Sequence, residues 1–287
     1  MKKIIISIIA SLFLVSVSAQ AVEIILPVKP GGGTSKTAAK LKDSLAKQGI
    51  ETKLTFTGNC KLAEKMWNDA EDETLMFANA GLWSTGCRLG YDIPKENILV
   101  MVKAFPHSIC RPADRADLTI EKFLDPKQSK VIGTSYAYVA TVNNWMKELG
   151  MKSEVVNFGN SKKLKVAAVT NDADYYIIYN SHAAQLREKL TCVANASVYT
   201  AAHPNAIKAP LLSSLTDKLS LPALVNADIA IVKNPKDLAK TTKMFEDAIN
   251  APEYKAFLNS PGIIDVTKFS REEVLDMVGF LKKTYVN

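Results

Sequence analysis

Short apolar runs alternate with amphipathic stretches along most of the chain. The run "VEIILPV" at 22–28 is apolar on both faces and rich in β-branched residues, which is typical of a buried parallel strand. In the next stretch, "KTAAKLKDSLAKQG", Ala38, Leu41 and Leu45 recur at helical spacing opposite a lysine-rich face, and Gly49 marks the end. Strand and helix keep alternating at short spacing, which predicts a doubly wound α/β sheet.

The second half of the chain continues this alternation. "NILVMVKAF" and "SICRPAD" predict two separate, closely spaced strands. "SKVIGTS", "SEVVNFG" and "ADYYIIYN" predict three more strands with helices between them. Near the end, "ALVNADIAIVKNP" predicts a strand that returns the chain to the first part of the fold before the closing helices.

The first residues have the composition of an export signal. Lys2 and Lys3 precede the apolar run "IIISIIASLFLV", and "SVSAQA" ends in an Ala-x-Ala pattern. This predicts a secretory signal peptide over 1–21, cleaved after Ala21, with Ala19 as the alternative. The apolar run is about a dozen residues long, short of the roughly 20 that span a bilayer. The rest of the chain is long enough for one large or two medium lobes.

The charge of the chain is mildly positive and evenly spread. The formal net charge is +7, and the isoelectric point is near 9.0. Lysines and arginines are spread along the chain and do not cluster into a basic stripe, so we expect no nucleic-acid partner. The balance is compatible with a small anionic ligand.

The stretch "VKPGGGTSKTAAK" at 28–40 joins the first predicted strand to the first predicted helix. It is close to a phosphate-binding P-loop. However, the register set by Lys36 and Thr37 requires glycine at positions 30 and 35, where the chain has Pro30 and Ser35. Both required glycines are missing, which excludes the nucleotide interpretation.

The same stretch predicts an anion nest of a different kind. Gly31 to Gly33 can take positive φ, which lets their backbone N–H groups converge. Thr34 and Ser35 add hydroxyl donors, Lys29 adds a charge, and the following helix presents its positive N-terminus. A tight turn without a ligand is the alternative.

A second strand–loop–helix junction, "GTSYAY" at 133–138, also has small donors. Ligands of α/β sheets bind beyond the carboxyl ends of the strands, so the two loops are predicted to face each other across a cleft. Tyr136 or Tyr138 would then lie against an organic ligand. The alternative is that both are ordinary surface or core aromatics.

The sequence has no recognisable catalytic pattern. His107, His182 and His203 are far apart, and neither a G-x-S-x-G nor an H-E-x-x-H motif is present. We therefore expect no enzyme activity, no metal site and no cofactor. The four cysteines are even in number and lack Cys-x-x-Cys spacing, which favours disulfides with three possible pairings.

The order of these motifs resembles that of the extracytoplasmic receptors of tripartite tricarboxylate transporters, the Bug or TctC-like family. There a strand, a Pro-x-x-Pro-Gly-Gly-Gly-Thr-Asp-type loop and a helix come first, as in "VEIILPVKPGGGTSKTAAKLKDSLAKQG". Later family segments are similar, in the same order, to "TLMFANAG", "ICRPADRADLTIEKFL", "VIGTS", "DADYYIIYNSHAAQL" and "DIAIVKNPKDLAKTTKMFEDAINAPEYKAFL". The resemblance covers essentially the whole chain after the leader.

The resemblance implies the type II periplasmic-binding-protein fold, with two doubly wound lobes and a ligand cleft and hinge between them. We expect lobe 1 at 22–106 and 223–287, and lobe 2 at 107–222. In the family, amides of the first glycine loop and ordered water hold a ligand carboxylate, and the Gly-Thr-Ser loop binds from the other lobe. The expected ligand-binding residues here are Lys29, Pro30, Gly31, Gly32, Gly33, Thr34, Ser35, Asn79, Ala80, Gly81, Gly133, Thr134, Ser135, Tyr136 and Asn180.

Three departures from the family pattern bear on the ligand. The usual aspartate of the first loop is Ser35 here, and a family alanine or tyrosine is Lys29. Losing an anion and gaining a cation predict a preference for a more anionic ligand. The Gly-x-Gly that often follows Gly-Thr-Ser is Tyr136-Ala137-Tyr138, which predicts a narrower cleft and an aromatic or flat acid.

Two further expectations concern the cysteines and the partners. Cys60 and Cys87 follow neighbouring predicted strands, so we predict that they pair, which leaves Cys110 with Cys192. The function implied by the resemblance is a monomeric periplasmic receptor that delivers an organic carboxylate to a membrane permease of the tripartite tricarboxylate type. An exported α/β enzyme acting on a small acid and a receptor that feeds a signalling protein are the alternatives.

Overall fold

The protein is a mixed α/β structure in which helices cover a central sheet. The computed structural model describes residues 21–79, 94–135, 138–197, 207–219, 225–260, 271–272 and 274–276. The strands of this part are β1 (Val22–Leu26), β2 (Thr52–Phe56), β3 (Leu75–Asn79), β4 (Ile98–Pro112), β5 (Val131–Thr134), β6 (Glu154–Asn157), β7 (Tyr175–Tyr179), β8 (Leu190–Asn195) and β9 (Val225–Val232). The helices are α1 (Gly33–Lys47), α2 (Cys60–Asp69), α3 (Ile120–Leu124), α4 (Val139–Glu148), α5 (Ser161–Thr170), α6 (Asn180–Gln185), α7 (Leu238–Asn250) and α8 (Pro252–Leu258).

The sheet has the strand order β2-β1-β3-β9-β4-β7-β5-β6, and β8 pairs with β4 outside this path. The two ends are parallel: β1 pairs with β2 and β3, and β5 pairs with β6 and β7. The centre is antiparallel, because β9 runs against both β3 and β4. Alternating strands and helices at each end give the doubly wound arrangement that the sequence predicts.

Strand β4 connects the two ends of the sheet. Its residues Ile98 to Pro106 pair with β9, whereas His107 to Pro112 pair with β7 and β8. The two separate strands expected from "NILVMVKAF" and "SICRPAD" are therefore one strand, which is a correction. The proline between them did not end the strand. Pro106 pairs with Val225 and is the last residue of β4 in register with β9. The N–H that proline lacks therefore falls where β4 changes partner strands.

Each end of the sheet has its own hydrophobic core, and we refer to the ends as lobes. The first lobe contains β1, β2, β3, β9 and the start of β4, packed by α1, α2, α7 and α8. Ala38, Leu41 and Leu45 of α1 are fully buried there, as the helical pattern predicts. The second lobe has a core on each face of its sheet, with Tyr175 on one face and Tyr176 on the other.

A disulfide lies inside the second lobe. Cys110 of β4 and Cys192 of β8 are direct cross-strand neighbours and are covalently joined, which confirms this predicted pair. Cys87 lies outside the described residues, so its pairing with Cys60 stays a prediction. The predicted signal peptide lies outside them as well, apart from Ala21. No helix in the described part of the chain is long and apolar enough to cross a membrane.

Candidate functional site

The first glycine loop places the start of α1 at the carboxyl end of β1. Gly31 has a φ of +91°, which only glycine adopts readily. Gly32 is extended, with φ −78° and ψ 176°, and Gly33 is already the first residue of α1. Of the three glycines, Gly31 alone takes the positive φ that glycine allows, because the chain reverses there and then enters a helix.

The two hydroxyls that follow the glycines are engaged within the protein. Thr34 Oγ1 donates to Asp228 Oδ1 at 2.8 Å, which ties α1 to β9, and Ser35 Oγ donates to the carbonyl of Gly32 at 2.8 Å. α1 has no side-chain cap and no acidic residue in its first turn. Its first backbone N–H groups lack intrahelical acceptors and are therefore available to an anion.

A cavity of about 580 Å³ opens between the lobes in front of this helix end. The first lobe lines it with the start of α1 and with strand β4, and the second lobe with α5, the end of β7 and the start of α6. The lining residues are Gly33, Thr34, Lys103, Phe105, Ser161, Lys162, Lys165, Tyr179, Ser181 and His182. We call this cavity the cleft.

The cleft is electropositive. Three of its described lining residues are lysines and none is a carboxylate. Lys103 is 3% exposed, and burial lowers its pKa to about 8, although the nearby Asp228 acts in the opposite direction. Lys36 on α1 lowers this pKa further. An anion that enters the cleft would meet an excess of positive charge among its described lining residues.

Aromatic rings form one wall of the cleft. The ring of Tyr179 lies 5.7 Å from that of Phe105 and 5.3 Å from that of His182, centroid to centroid. Burial lowers the pKa of His182 to about 4, and Lys165 adds to this effect, so the imidazole is neutral at pH 7. The wall therefore presents flat, largely uncharged surface beside the lysines.

A groove of about 640 Å³ in the first lobe is slightly larger than the cleft. Val22 lines it, so the groove lies at the amino end of β1, away from the glycine loop. Its lining mixes lysines with carboxylates such as Glu73, Asp237 and Asp247. We favour the cleft as the functional site because its charges have one sign and both lobes contribute to it.

The other expected ligand residues of the first lobe are placed as follows. Lys29 and Pro30 are exposed and are not among the residues that line the cleft; the aliphatic part of Lys29 lies beside Gly58. The backbone of Asn79 is the register partner of Asp228 in the sheet. Ala80 and Gly81 lie outside the described residues.

The Gly-Thr-Ser segment of the second lobe is buried. Gly133 lies within β5, where a Cβ would come within 2.8 Å of Phe158 and 2.9 Å of Tyr176, so close packing explains the glycine. Thr134 and Ser135 are 0% and 4% exposed and are not among the residues that line the cleft. Within the described part of the chain, Thr134 Oγ1 has no hydrogen-bond partner. Tyr136 lies outside that part.

Asn180 sits in a buried polar network beneath the cleft. Ser108 Oγ lies 2.6 Å from Asn180 Oδ1 and 2.7 Å from Asn195 Oδ1. One hydroxyl proton serves only one of these acceptors, and the amide of Asn195 is fixed because its Nδ2 donates to two carbonyls. With the Asn180 amide turned over, its Nδ2 donates to Ser108 Oγ, and Ser108 Oγ donates to Asn195 Oδ1. Asn180 thus supports the start of α6, which contributes Ser181 and His182 to the cleft.

The described residues contain no group of three or more side chains that could hold a metal ion. His107 is buried against Tyr138 and Tyr179, with ring centroids 4.2 and 4.4 Å apart, and does not line the cleft. His203 lies outside the described residues.

Sequence reasoning missed several of the residues that define the cleft. Lys103 and Asp228 are register partners on β4 and β9, and their shared location depends on strand pairing. A signal was present in each case, because one charged residue interrupts an otherwise apolar strand in "ILVMVKAF" and "ADIAIV". Lys162 and Lys165 lie in the first turns of α5, after its N-cap Asn160, and a lysine there has no sequence signal that separates a binding residue from a solvated one.

Comparison with solved structures identifies the fold. A TctC solute-binding protein from Polaromonas has a TM-score of 0.69 at 14% identity, covering 92% of this chain and 97% of that one. MatC from Rhodopseudomonas palustris, solved with bound malate, has a TM-score of 0.63 at 15% identity, with the same coverage. A second R. palustris protein, solved with adipate, has a TM-score of 0.65 at 11% identity; the match covers 93% of this chain and 95% of that one. The sequence matches no protein-family model and no curated protein.

These likenesses extend over nearly the whole chain, so they define its class. The fold is that of the type II periplasmic binding proteins, with two lobes around a cleft, which confirms the fold predicted from the sequence. The resemblance to the TctC and Bug receptors is confirmed at the level of the fold.

Proposed function

We propose that the protein is an exported receptor that binds a small organic carboxylate in the cleft and delivers it to a membrane permease of the tripartite tricarboxylate type. The observation that carries this proposal is the composition of the cleft. Lysines of both lobes and the N-terminus of α1 face one cavity whose described lining has no carboxylate. A volume of about 580 Å³ is in the usual range for a small-molecule site.

The solved relatives support this class of ligand. One protein of the same fold was solved with malate and another with adipate, both small dicarboxylates. The lysines of the cleft offer this chain the charge to hold such an anion. The aromatic wall of Phe105 and Tyr179 leaves an aromatic acid as a second possibility within the same ligand class.

The proposed mechanism is closure of the lobes around the ligand, without breaking a bond. β4 passes from the first lobe to the second at Pro106 and His107, which makes this point of the chain a natural hinge. A ligand that contacts Thr34 on one lobe and Lys165 on the other stabilises the closed form by the difference in its affinity for the two forms.

The division into lobes at 22–106, 107–222 and 223–287 remains part of this proposal. The change of partners in β4 supports the first boundary. The pairing of β9 with β3 supports the return of the chain to the first lobe. Export rests on the predicted signal peptide over 1–21, and a monomeric state is proposed with it.

A carboxylate panel tests the proposal. We expect malate, adipate, citrate or benzoate to raise the melting temperature of the mature protein saturably, and calorimetry to give one site per chain. The bound acid should be recovered unchanged after long incubation. A chemically altered acid would favour the exported enzyme, and the absence of binding to every member at millimolar concentration would overturn the carboxylate receptor.

The choice between transport and signalling needs a separate experiment. We expect the liganded protein to be retained by membranes that contain the permease subunits encoded by the same organism. Retention by a membrane signalling protein instead would favour the sensory alternative and leave the ligand assignment intact.

A further inference from the structure

Two lysines of this protein show how a buried or half-buried ammonium group is normally accommodated. Lys130 is 4% exposed, and its Nζ donates to the carbonyls of Lys122, Phe123 and Asp125 at 2.8 to 2.9 Å. Lys233 Nζ donates to three carbonyls at the end of α2 in the same way. In both cases three acceptors replace the water that the charge lost on folding.

Lys103 is buried to the same degree but lacks such acceptors. Within the described residues its Nζ has no hydrogen bond and no ion pair; it lies 4.2 Å from the ring centroid of Phe105 and 5.2 Å from that of Phe257. Cation–π contacts of this kind recover only part of the lost hydration. A buried charge without a close counter-ion is costly unless a partner arrives from outside.

The carboxylate of Asp228 only partly compensates the charge of Lys103. Asp228 is its register partner on β9, but Asp228 Oδ1 accepts the hydroxyl proton of Thr34. The field of Asp228 favours the protonated lysine, yet the effect of burial is larger. Lys103 also lines the cleft beside Thr34 and the start of α1, so its charge faces the space a ligand would fill.

We propose that Lys103 pairs directly with a carboxylate of the bound ligand and sets the preference of the cleft for anionic over neutral ligands. This inference rests on the proposed function and names a specificity-determining residue for it. The ligand oxygen supplies the acceptor that Lys103 lacks, and the N-terminus of α1 binds the same anion. Lys162 and Lys165 complete the field from the second lobe.

The proposal implies that binding depends on pH in a defined direction. The charged and titratable groups around Lys103 are Asp228 on β9, Lys36 on α1 and Tyr254 on α8. Across the cleft lie Lys162, Lys165 and His182. Of these, Lys103 has its pKa shifted to about 8, and a bound anion raises that pKa. Affinity is therefore full about one pH unit below 8, halved near pH 8, and lower by about tenfold near pH 9.

Calorimetry on matched variants tests the assignment. The probes are malate, adipate, citrate and benzoate, together with the neutral amide of whichever acid binds wild type most tightly. We expect Lys103→Met to weaken binding of that acid by about thirtyfold or more, and to remove most of the discrimination against the amide. Lys130→Met, at an equally buried lysine in the second lobe, should leave the affinity within about twofold.

The outcomes separate the two proposals. If wild type binds one of the acids and Lys103→Met binds it equally well, the inference fails while the proposed function stands. If wild type binds none of them, both fail. A measurement that needs no variant adds to this: NMR titration of the Lys103 side chain should show its pKa rise when the acid is added, and an unchanged pKa would overturn the pairing.

Discussion

At the scale of single residues, Lys103 and Asp228 occupy opposed positions of β4 and β9 but have different surroundings. Asp228 is fully buried and accepts a hydrogen bond from the hydroxyl of Thr34. Lys103 faces the cleft, and in the described part of the chain its ammonium group contacts aromatic rings but no hydrogen-bond acceptor. Burial without acceptors costs folding free energy that ligand binding returns. Lys103 is thus a residue at which stability and function oppose each other.

This opposition predicts that Lys103→Met stabilises the unliganded protein. The folded-state pKa is lowered from 10.5 to about 8. Keeping Lys103 charged therefore lowers the stability of the folded protein, and this cost is full below about pH 8. It declines between pH 8 and 10.5, because the lysine is then neutral in the folded protein but still charged in the unfolded chain. The gain in the free energy of unfolding should reach about 3 kcal/mol at pH 7 and vanish near pH 10.5. Urea unfolding at several pH values measures it.

The matched control is Lys130→Met, which removes three hydrogen bonds to carbonyls near the end of α3 and should lower stability at pH 7. If Lys103→Met is no more stable than wild type below pH 8, the charge of Lys103 is compensated in the folded protein and the prediction fails.

At the scale of elements, strand β5 is held by close packing at Gly133. An added Cβ would lie 2.8 Å from Phe158 and 2.9 Å from Tyr176, both of which belong to the packed second lobe. Gly133→Ala is therefore expected to lower the free energy of unfolding by about 1–3 kcal/mol through overpacking. Denaturant unfolding measures the change.

The control for this prediction is Gly32→Ala in the first glycine loop. Gly32 has φ −78°, and an added Cβ would meet only the carbonyl of Lys29, at 4.0 Å. Because Gly32 is the N-cap of α1, where alanine is less favourable than glycine, the loss of stability should be small but not zero, below about 1 kcal/mol. A Gly133→Ala variant as stable as this control would contradict the packing explanation.

Most elements follow from the apolar pattern, because each buries one face of its own sequence. The face of α1 and the runs that form β1, β5 and β7 are examples. β8 and the short helix α6 were not predicted, since their burial comes from the pairing of β8 with β4 and from contacts of α6 with β4 and β7. The continuity of β4 was also missed, because a proline at a change of partners looks locally like a strand end.

The candidate site was predictable only in part, for a similar reason. The glycine loop could be located because a strand, glycines and a helix are contiguous in sequence. The role proposed for Lys103 could not be predicted, because it depends on β4 pairing with β9 and on the lack of acceptors for its ammonium group among the described residues. The sequence assigned one cation to Lys29, and this role stays a prediction, whereas the lysines that line the cleft are Lys103, Lys162 and Lys165.

At the scale of the whole molecule, two cores share one strand, and the cleft lies where that strand changes lobes. The first lobe contributes a helix N-terminus and a buried lysine. The second contributes two lysines and an aromatic wall. An anion between the lobes is attracted by both of them, which links the binding of charge to closure. The central claim is that this cleft captures a small organic carboxylate.

Native mass spectrometry of the protein purified from the periplasm tests that claim most directly. We predict a noncovalently bound small organic acid that carries at least one carboxylate, leaves intact on denaturation, and is absent or strongly reduced in Lys103→Met. A bound neutral or cationic compound would contradict the account. So would protein that is purified without a ligand and then binds none of malate, adipate, citrate and benzoate.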